Sequence, residues 1–372
     1  DAGFTRIGII GGGQLGRMMI LAGTPLGFSF GVLTPDASDP AARIADHHVS
    51  GTLQDARAIA SLCEWADVTT YEIEHIYTDA LINSHRAGAR ILPEPRVLTI
   101  VNDKLEQKRV LEHAGVPVPA FSDGPRGYPV VQKLRRGGYD GRGVAVLRSE
   151  GDASLDGEVY YEDLVDFSTE LAVIVARAPS GEVATYPVVD MVFDQGANIC
   201  SRVSVPAGIG ERTADRARDV AVATVEAIGA VGVVAVELFL TRDGEVLVNE
   251  LAPRPHNSGH LTIDASVTSQ FEQHLRAICD LPLGSTELRS PAVMVNVLGS
   301  ARARGTPSMP GMQELLALPG VHLHWYGKRE VRPYRKMGHV TVVAGTLAEA
   351  MSTAARIEPL TRVEGRTEGG SR

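Results

Sequence analysis

The chain has 372 residues, with 36 Lys and Arg against 45 Asp and Glu for a formal net charge of −9, and three Cys. At roughly 100 to 200 residues per domain, this length predicts two or three domains, each able to bury its own core, and excludes a small cross-linked scaffold. The acidic balance repels nucleic acid and anionic lipid, so any phosphate ligand has to be held by a local cluster of cations. Cys63, Cys200 and Cys279 lie far apart and form no Cys-x-x-Cys, which fits a reducing compartment. No apolar run approaches the ~18 residues of a membrane span, and Asp1 to Arg6 lack signal-peptide features; the expectation is a cytoplasmic protein without membrane partners.

In chain order, strands are predicted at Phe4–Ile10, Phe28–Leu33, Val68–Tyr71 and Ala89–Leu92, with helices at Gln14–Ala22, Asp55–Ala66 and Thr78–Ala87 between them. This alternation implies a doubly wound parallel sheet over residues 1–95. A helix then begins with Asp103 as cap and Glu106 three residues on, and stops at Gly115. Strands at Val130–Lys133, Val144–Leu147, Val159–Glu162, Thr169–Ala176, Val183–Phe193, Val231–Leu240 and Val246–Leu251, with one long helix over Thr213–Ile228, describe an α+β unit spanning 96–285. Short strands at Ala292–Leu298, Val321–Trp325 and His339–Val343 suggest a small β-rich third domain over 286–372, ending in a polar, glycine-rich tail.

Six stretches carry possible chemistry. Gly11-Gly12-Gly13-Gln14-Leu15-Gly16 follows a strand and opens a helix, so its backbone can approach a pyrophosphate while Asp36 holds a ribose, as in a dinucleotide oxidoreductase; taken alone the signal is weak, and a structural turn or a different ligand is favoured over it. Lys133 to Gly143 combines Gly137, Gly138, Gly141 and Gly143 with Arg135, Arg136 and Arg142, which reads as a mobile phosphate-covering flap or as a flexible surface hairpin. In the hairpin around Asp243-Gly244, pairing Arg242 with Glu245 sets Glu237 directly opposite Glu250. Two carboxylates ~5 Å apart repel by roughly 3 kcal/mol at an effective dielectric near 20, so a cation is expected there, either a salt-bridging side chain such as Arg254 or a Mg²⁺ to which Asn249 could add an oxygen.

The broken strand Glu162-Asp163-Leu164-Val165 leaves main-chain groups able to read an adenine edge, with Glu170 near ribose hydroxyls, or is an ordinary solvated edge. His256 and His260 are spaced like zinc ligands, but Pro255 and Gly259 break a helix there, which favours a polar loop with Arg254 facing an anion. Lys328, Arg329, Arg332, Arg335 and Lys336 follow Trp325 and Tyr326; a single phosphate ester suits them better than nucleic acid, with a solvated loop as the alternative.

Gly12 to Met18, Glu72-Ile73-Glu74-His75, Gly137 to Gly143, Asn249 to His260, Thr268 to Glu272 and Arg335 to His339 together resemble the N5-carboxyaminoimidazole ribonucleotide synthase family of ATP-grasp ligases, from about Ile7 to Val343. The resemblance implies an ATP-grasp fold and an ATP-dependent ligase that joins bicarbonate to 5-aminoimidazole ribonucleotide through carboxyphosphate. It implies that Lys104 and Lys133 contact ATP phosphates, that Gly138, Asp140, Gly141 and Gly143 cover them, that Glu162, Asp163, Leu164 and Val165 meet adenine, and that Glu170 meets ribose. Glu237 and Glu250, with Asn249, would hold Mg²⁺. Tyr139, Arg142, Lys328 and Arg335 would bind the ribonucleotide, with Gln14, Glu72 and Glu74 lining its pocket. Arg254 would hold the bicarbonate-derived anion, Asn257, Tyr139 and Arg142 would join it in the catalytic set, and the amine's proton would go to the phosphate leaving carboxyphosphate, with Glu72 or His256 as outside choices. A homodimer and a functional link to the mutase that follows in the pathway are also implied. A formate-dependent glycinamide ribonucleotide transformylase is the nearest alternative within the superfamily. The segment Ser122–Gly127 is shorter than in many relatives.

Overall fold

The computed structural model describes residues 5–138, 143–193 and 199–366. The expectations for Tyr139, Asp140, Gly141 and Arg142 therefore lie outside the described residues. Strands β1 (Arg6–Ile10), β2 (Ser29–Thr34), β3 (His47–Ser50) and β4 (Val68–Tyr71), with helices α1 (Gln14–Gly23), α2 (Ala56–Trp65) and α3 (Thr78–Arg86), form a parallel sheet in the order β3-β2-β1-β4. Strand β1 is apolar on both faces because both are covered: Ile7 and Ile9 pack with Leu15, Met18 and Met19 of α1, while Ile10 packs with Ile59 and Leu62 of α2. The edge strand β3, His47-His48-Val49-Ser50, escapes a hydrophobicity reading because it has a single apolar residue. The strand expected at Ala89–Leu92 is reduced to one bridge, Thr69 with Ile91.

Helix α4 (Pro95–Asn102) joins two cores, with Leu98 in the first domain and Val97 and Val101 under the next; α5 (Lys104–His113) follows, capped by the Asp103 carboxylate on the Glu106 N–H. Strands β5 (Phe121–Ser122), β6 (Val130–Leu134), β7 (Val144–Leu147) and β8 (Val159–Asp163) form an antiparallel sheet in the order β5-β8-β6-β7. Next come β9 (Phe167–Arg177), β10 (Val183–Thr185), β11 (Val189–Phe193), β12 (Cys200–Val205), α6 (Glu211–Ile228), β13 (Gly232–Thr241) and β14 (Val246–Ala252). The single strand expected over Val183–Phe193 is split around Pro187, which cannot donate to a ladder. Helices α7 (Thr262–Ala265) and α8 (Gln270–Ile278) lead to β15 (Ala292–Leu298), β16 (Thr306–Ser308), α9 (Met312–Leu316), β17 (Val321–Trp325), β18 (Lys336–Val343) and α10 (Leu347–Ile357).

The strands expected in a separate third domain do not form a sheet of their own. Strand β15 pairs with β12, so the order β14-β13-β9-β11-β12-β15-β18-β17 runs through one nine-stranded sheet, with β10 beside β9. Helix α6 lays Val220, Val225 and Ile228 against Val173, Val175, Val234 and Val236 on one face of that sheet. The opposite face carries Glu170, Glu237 and Glu250. No helix among the described residues is long and apolar enough to cross a membrane.

Candidate active site

The site begins with an irregularity in the β13–β14 hairpin. Thr241 and Glu245 close the turn, with the Thr241 N–H donating to the Glu245 carbonyl and Gly244 left-handed at φ 88°. The turn thus has three residues, not the two expected from Asp243-Gly244, and the ladder at its base is offset by one. A bulge then compensates: Leu238 pairs with Val248 and Glu237 with Glu250, which leaves Asn249 without a partner. Glu237 faces Glu250 as expected, but through two deviations that cancel. Consecutive side chains alternate in a regular strand, whereas a bulge turns neighbours to one side. Asn249 and Glu250 accordingly both meet lysines in the cleft between the two antiparallel sheets: the Lys133 Nζ donates to Asn249 Oδ1 at 3.0 Å, and the Lys104 Nζ pairs with Glu250.

The carboxylates differ in environment. Burial pushes Glu237 up, Glu250 and Glu170 add to it, and its carboxyl stands at about 8. Burial also raises Glu250, but Lys104 and Lys133 outweigh it and hold it below the usual range. Glu170, opposite Phe239 on β9, is driven to about 7 by burial, with Lys133 opposing and Glu250 reinforcing. Excess negative charge on an all-oxygen donor set fits Mg²⁺, which takes one or two carboxylates and completes its shell with phosphate and water. Arg254 does not neutralise the pair; its guanidinium bridges Glu74 at 2.7 Å.

Glu162 is buried, with its Oε2 2.8 Å from Lys133 Nζ, its Oε1 3.2 Å from Lys108 Nζ, and the Tyr160 hydroxyl donating to Oε1 at 2.8 Å. Burial raises it, yet Lys108 and Lys133 prevail and bring it to about 2. Its side chain is therefore committed to the protein; Leu164 and Val165 lie between the end of β8 and the start of β9, and the Asp163 N–H is used by the Ala120 carbonyl. Lys108 was not anticipated from sequence, because mid-helix lysines are normally solvated. Gly137 and Gly143, both left-handed (φ 80° and 81°), and Gly138 lie on the turn between β6 and β7. Arg135 and Arg136, expected to meet phosphate, instead bind Asp103 at 2.6 and 3.2 Å.

The glycine turn proves to be no pyrophosphate cradle. Glu72, at the end of β4, fills it: one carboxylate oxygen accepts from the Gly13 N–H and the other from the Gly16 N–H at 2.6 Å. Asp36 binds the Ser38 N–H at 2.7 Å. The glycines make room for the protein's own groups, since a Cβ on Gly11 would lie 2.5 Å from Glu72 Cγ and one on Gly12 2.7 Å from Thr34. This removes the observation on which the dinucleotide reading stood. Beside the turn a cavity of about 270 Å³ is lined by Gln14, Thr34, Asp39, Glu72, Lys328 and Arg335, among others. Burial pushes the Lys328 ammonium down to about 7, with Arg335 adding to it; its Nζ donates to the Lys336 carbonyl at 2.7 Å. An anion there would restore its charge. Thr34 and Asp39 were not foreseen, because neither belongs to a motif.

Strand β14 runs directly into the loop Arg254–His260. His256 Nε2 lies 3.4 Å from Glu237 Oε1, and its Nδ1 2.9 Å from Ser258 Oγ. Burial, then Arg254 and Lys336, hold this imidazole well below its usual range, so it is neutral. His260 turns the other way, to Gln270 at 3.1 Å. The Arg254 Nε and both polar atoms of the Asn257 amide are buried without partners. Of the expected site residues, the fold gathers Lys104, Lys133, Glu170, Glu237, Asn249 and Glu250 in the cleft and Gln14, Glu72, Lys328 and Arg335 around the cavity. Arg254, joined to Glu74, links the two, and its charge also acts on Glu72.

The chain matches the ATP-grasp domain over residues 113–271, the ribonucleotide synthetase preATP-grasp domain over 4–102 and the phosphoribosylaminoimidazole carboxylase C-terminal domain over 292–353. The N5-carboxyaminoimidazole ribonucleotide synthase of Synechococcus elongatus is 43% identical over 355 residues, 90% of this chain and 89% of its own. The crystal structure of N5-carboxyaminoimidazole ribonucleotide synthetase from Thermotoga maritima, 46% identical, superimposes with a TM-score of 0.91 over 98% of this chain and 100% of that one. The Aspergillus clavatus N5-carboxyaminoimidazole synthase, solved with ADP and 5-aminoimidazole ribonucleotide, gives 0.88 at 33% identity over 96% and 98%. With three matched domains and close full-length relatives, the chain belongs to the N5-carboxyaminoimidazole ribonucleotide synthase family of ATP-grasp enzymes.

Proposed function

We infer that the protein is the ATP-dependent ligase that carboxylates 5-aminoimidazole ribonucleotide with bicarbonate, yielding N5-carboxyaminoimidazole ribonucleotide, ADP and phosphate in purine biosynthesis. The observation that carries this reading is the continuity of β14 into the loop that follows it: Asn249 and Glu250 face the lysine-lined cleft, and Arg254 with its partnerless Nε follows a few residues later, paired with Glu74, the neighbour of the cavity-lining Ile73. Lys104 and Lys133 neutralise the ATP phosphates, Asp163 to Val165 present the edge that meets adenine, and Glu170 takes the ribose. Glu237 and Glu250, with Asn249, hold Mg²⁺, which when bound spreads the charge of the transferring phosphoryl group.

Bicarbonate is a poor electrophile and has to be phosphorylated first. Arg254 and Asn257 offer unmet hydrogen-bonding groups for the resulting carboxyphosphate, and the Arg254–Glu74 pair exchanges for it. Lys328 and Arg335 anchor the ribonucleotide phosphate, and Gln14 and Glu74 line its path. Glu72 is fixed by two backbone N–H groups, so its role is to shape the wall. Tyr139 and Arg142 complete the pocket by family resemblance.

The test is ADP release with 5-aminoimidazole ribonucleotide and bicarbonate. Turnover that survives only with glycinamide ribonucleotide and formate would sink the reading. Glu250→Gln is expected to lower turnover by more than 100-fold while the far-ultraviolet circular dichroism stays unchanged.

A further inference from the structure

Lys108 sits within α5, its side chain 1% exposed and directed away from the nucleotide groups assigned to Lys104 and Lys133. An ammonium has three N–H donors, and all three are engaged inside the protein: with the Val248 carbonyl at 2.8 Å, the Asn249 carbonyl at 3.0 Å and Glu162 Oε1 at 3.2 Å. Burial pushes this ammonium down and Glu162 draws it back, to about 8, so it is charged at neutral pH. Val248 and Asn249 are the residues at which the ladder skips, on the edge strand β14, whose outward main-chain groups have no strand to pair with: the Val248 N–H donates to the Pro117 carbonyl at 2.9 Å, and its own carbonyl on that side needs a donor.

The competing arrangement is specific. A two-residue turn at Asp243-Gly244, which the sequence itself favours, would pair Asn249 with Leu238 and keep Glu237 opposite Glu250. Asn249 would then share a face with Leu238, which packs into the apolar core under α6, and its amide would leave the cleft. The three-residue turn and the bulge prevent this, and Lys108 ties together the carbonyls of the two consecutive residues at which the ladder skips, Val248 and Asn249. Glu162 balances the charge of Lys108 and also binds Lys133, which itself holds Asn249 Oδ1, so α5 and the β5-β8-β6-β7 sheet grip the same irregularity.

We propose that Lys108 is a positioning residue that holds the β14 bulge and so presents Asn249 beside Glu250 to the Mg²⁺–ATP phosphates, without touching either. The proposal rests on the metal site assigned above. Its test is the Mg²⁺ concentration that half-saturates ATP binding, read by titration calorimetry without 5-aminoimidazole ribonucleotide, alongside that for half-maximal turnover, in Lys108→Met, Asn249→Ala and the double variant. Each single change is expected to raise it about tenfold, and the double variant no further, because both remove the same amide from the site. An unchanged requirement in Lys108→Met, or a multiplicative rise in the double variant, overturns the proposal. Should Lys108→Met fail to fold, Lys108→Met with Glu162→Gln removes both buried charges and carries the same cycle. Glu250→Gln separates the two levels: a raised requirement there with an unchanged one in Lys108→Met removes only the role of Lys108, whereas an unchanged requirement in Glu250→Gln removes the metal assignment and the proposal with it.

Discussion

At the residue scale, the cleft works by giving similar carboxylates different partners. Glu162 and Glu250 are each met by lysines and stay ionised, whereas Glu237 and Glu170 are buried with too little positive charge and are pushed to about 8 and 7. The folded Glu162 carboxyl at about 2 lies below its ordinary 4.5, so its stabilising contribution is present above pH ~4.5 and is lost as pH falls from there toward 2. The difference corresponds to roughly 3 kcal/mol. Glu162→Gln should therefore flatten the acid limb of stability: urea titrations between pH 6 and pH 3 should show a smaller loss in the variant than in the wild type, and parallel losses would refute the coupling. None of this was readable from Glu162 in the sequence, since it depends on lysines that arrive from α5 and β6.

At the element scale, two turns illustrate how local signals and tertiary contacts divide the work. The glycine run after β1 was legible as a tight strand-to-helix turn, but its occupant was not, because Glu72 reaches it from β4 across the sheet. Gly11 has φ 115° and a Cβ there would strike Glu72, so Gly11→Ala should cost about 2 kcal/mol or more, read as a lower thermal midpoint. Gly124→Ala, where nothing lies within 4 Å, serves as the control. A neutral result at Gly11 would mean the turn is free to relax. In the β13–β14 hairpin the sequence points to the right carboxylate pair by the wrong register, and only the bulge, stabilised from other elements, brings in Asn249. Helix α10 was missed although Thr346 and Glu349 form a full capping box, a signal that was present in the sequence.

At the scale of the whole molecule, the nine-stranded sheet makes the C-terminal segment part of the central unit. Residues Ala292 and Met294 of β15 pack with Val203 and Val205 of β12 and Leu261 of the loop after β14. A chain ended at Ser285 would expose the β12 edge and this apolar cluster. It is expected to lose cooperative thermal unfolding; a truncated protein with a sharp, two-state transition would show that the C-terminal strands are an independent appendage. The continuity also explains how Lys328 and Arg335, remote in sequence, come to face the glycine turn of the first domain across the same cavity.

The sequence alone determined what local chemistry dictates: the parallel N-terminal unit from alternating apolar strands and helices, the α5 cap at Asp103, the hairpin that carries Glu237 and Glu250, and a net charge of −9. Tertiary structure decided which cations are available. Arg135 and Arg136 are spent on Asp103, Arg254 pairs with Glu74 but keeps its Nε without a partner, and Lys104, Lys133 and Lys328 face the cleft and cavity. The reason is physical: a side chain's charge is set by its type, but its partner, its desolvation and the face it occupies depend on groups distant in the chain, and one unpaired strand residue, Asn249, is enough to change that face.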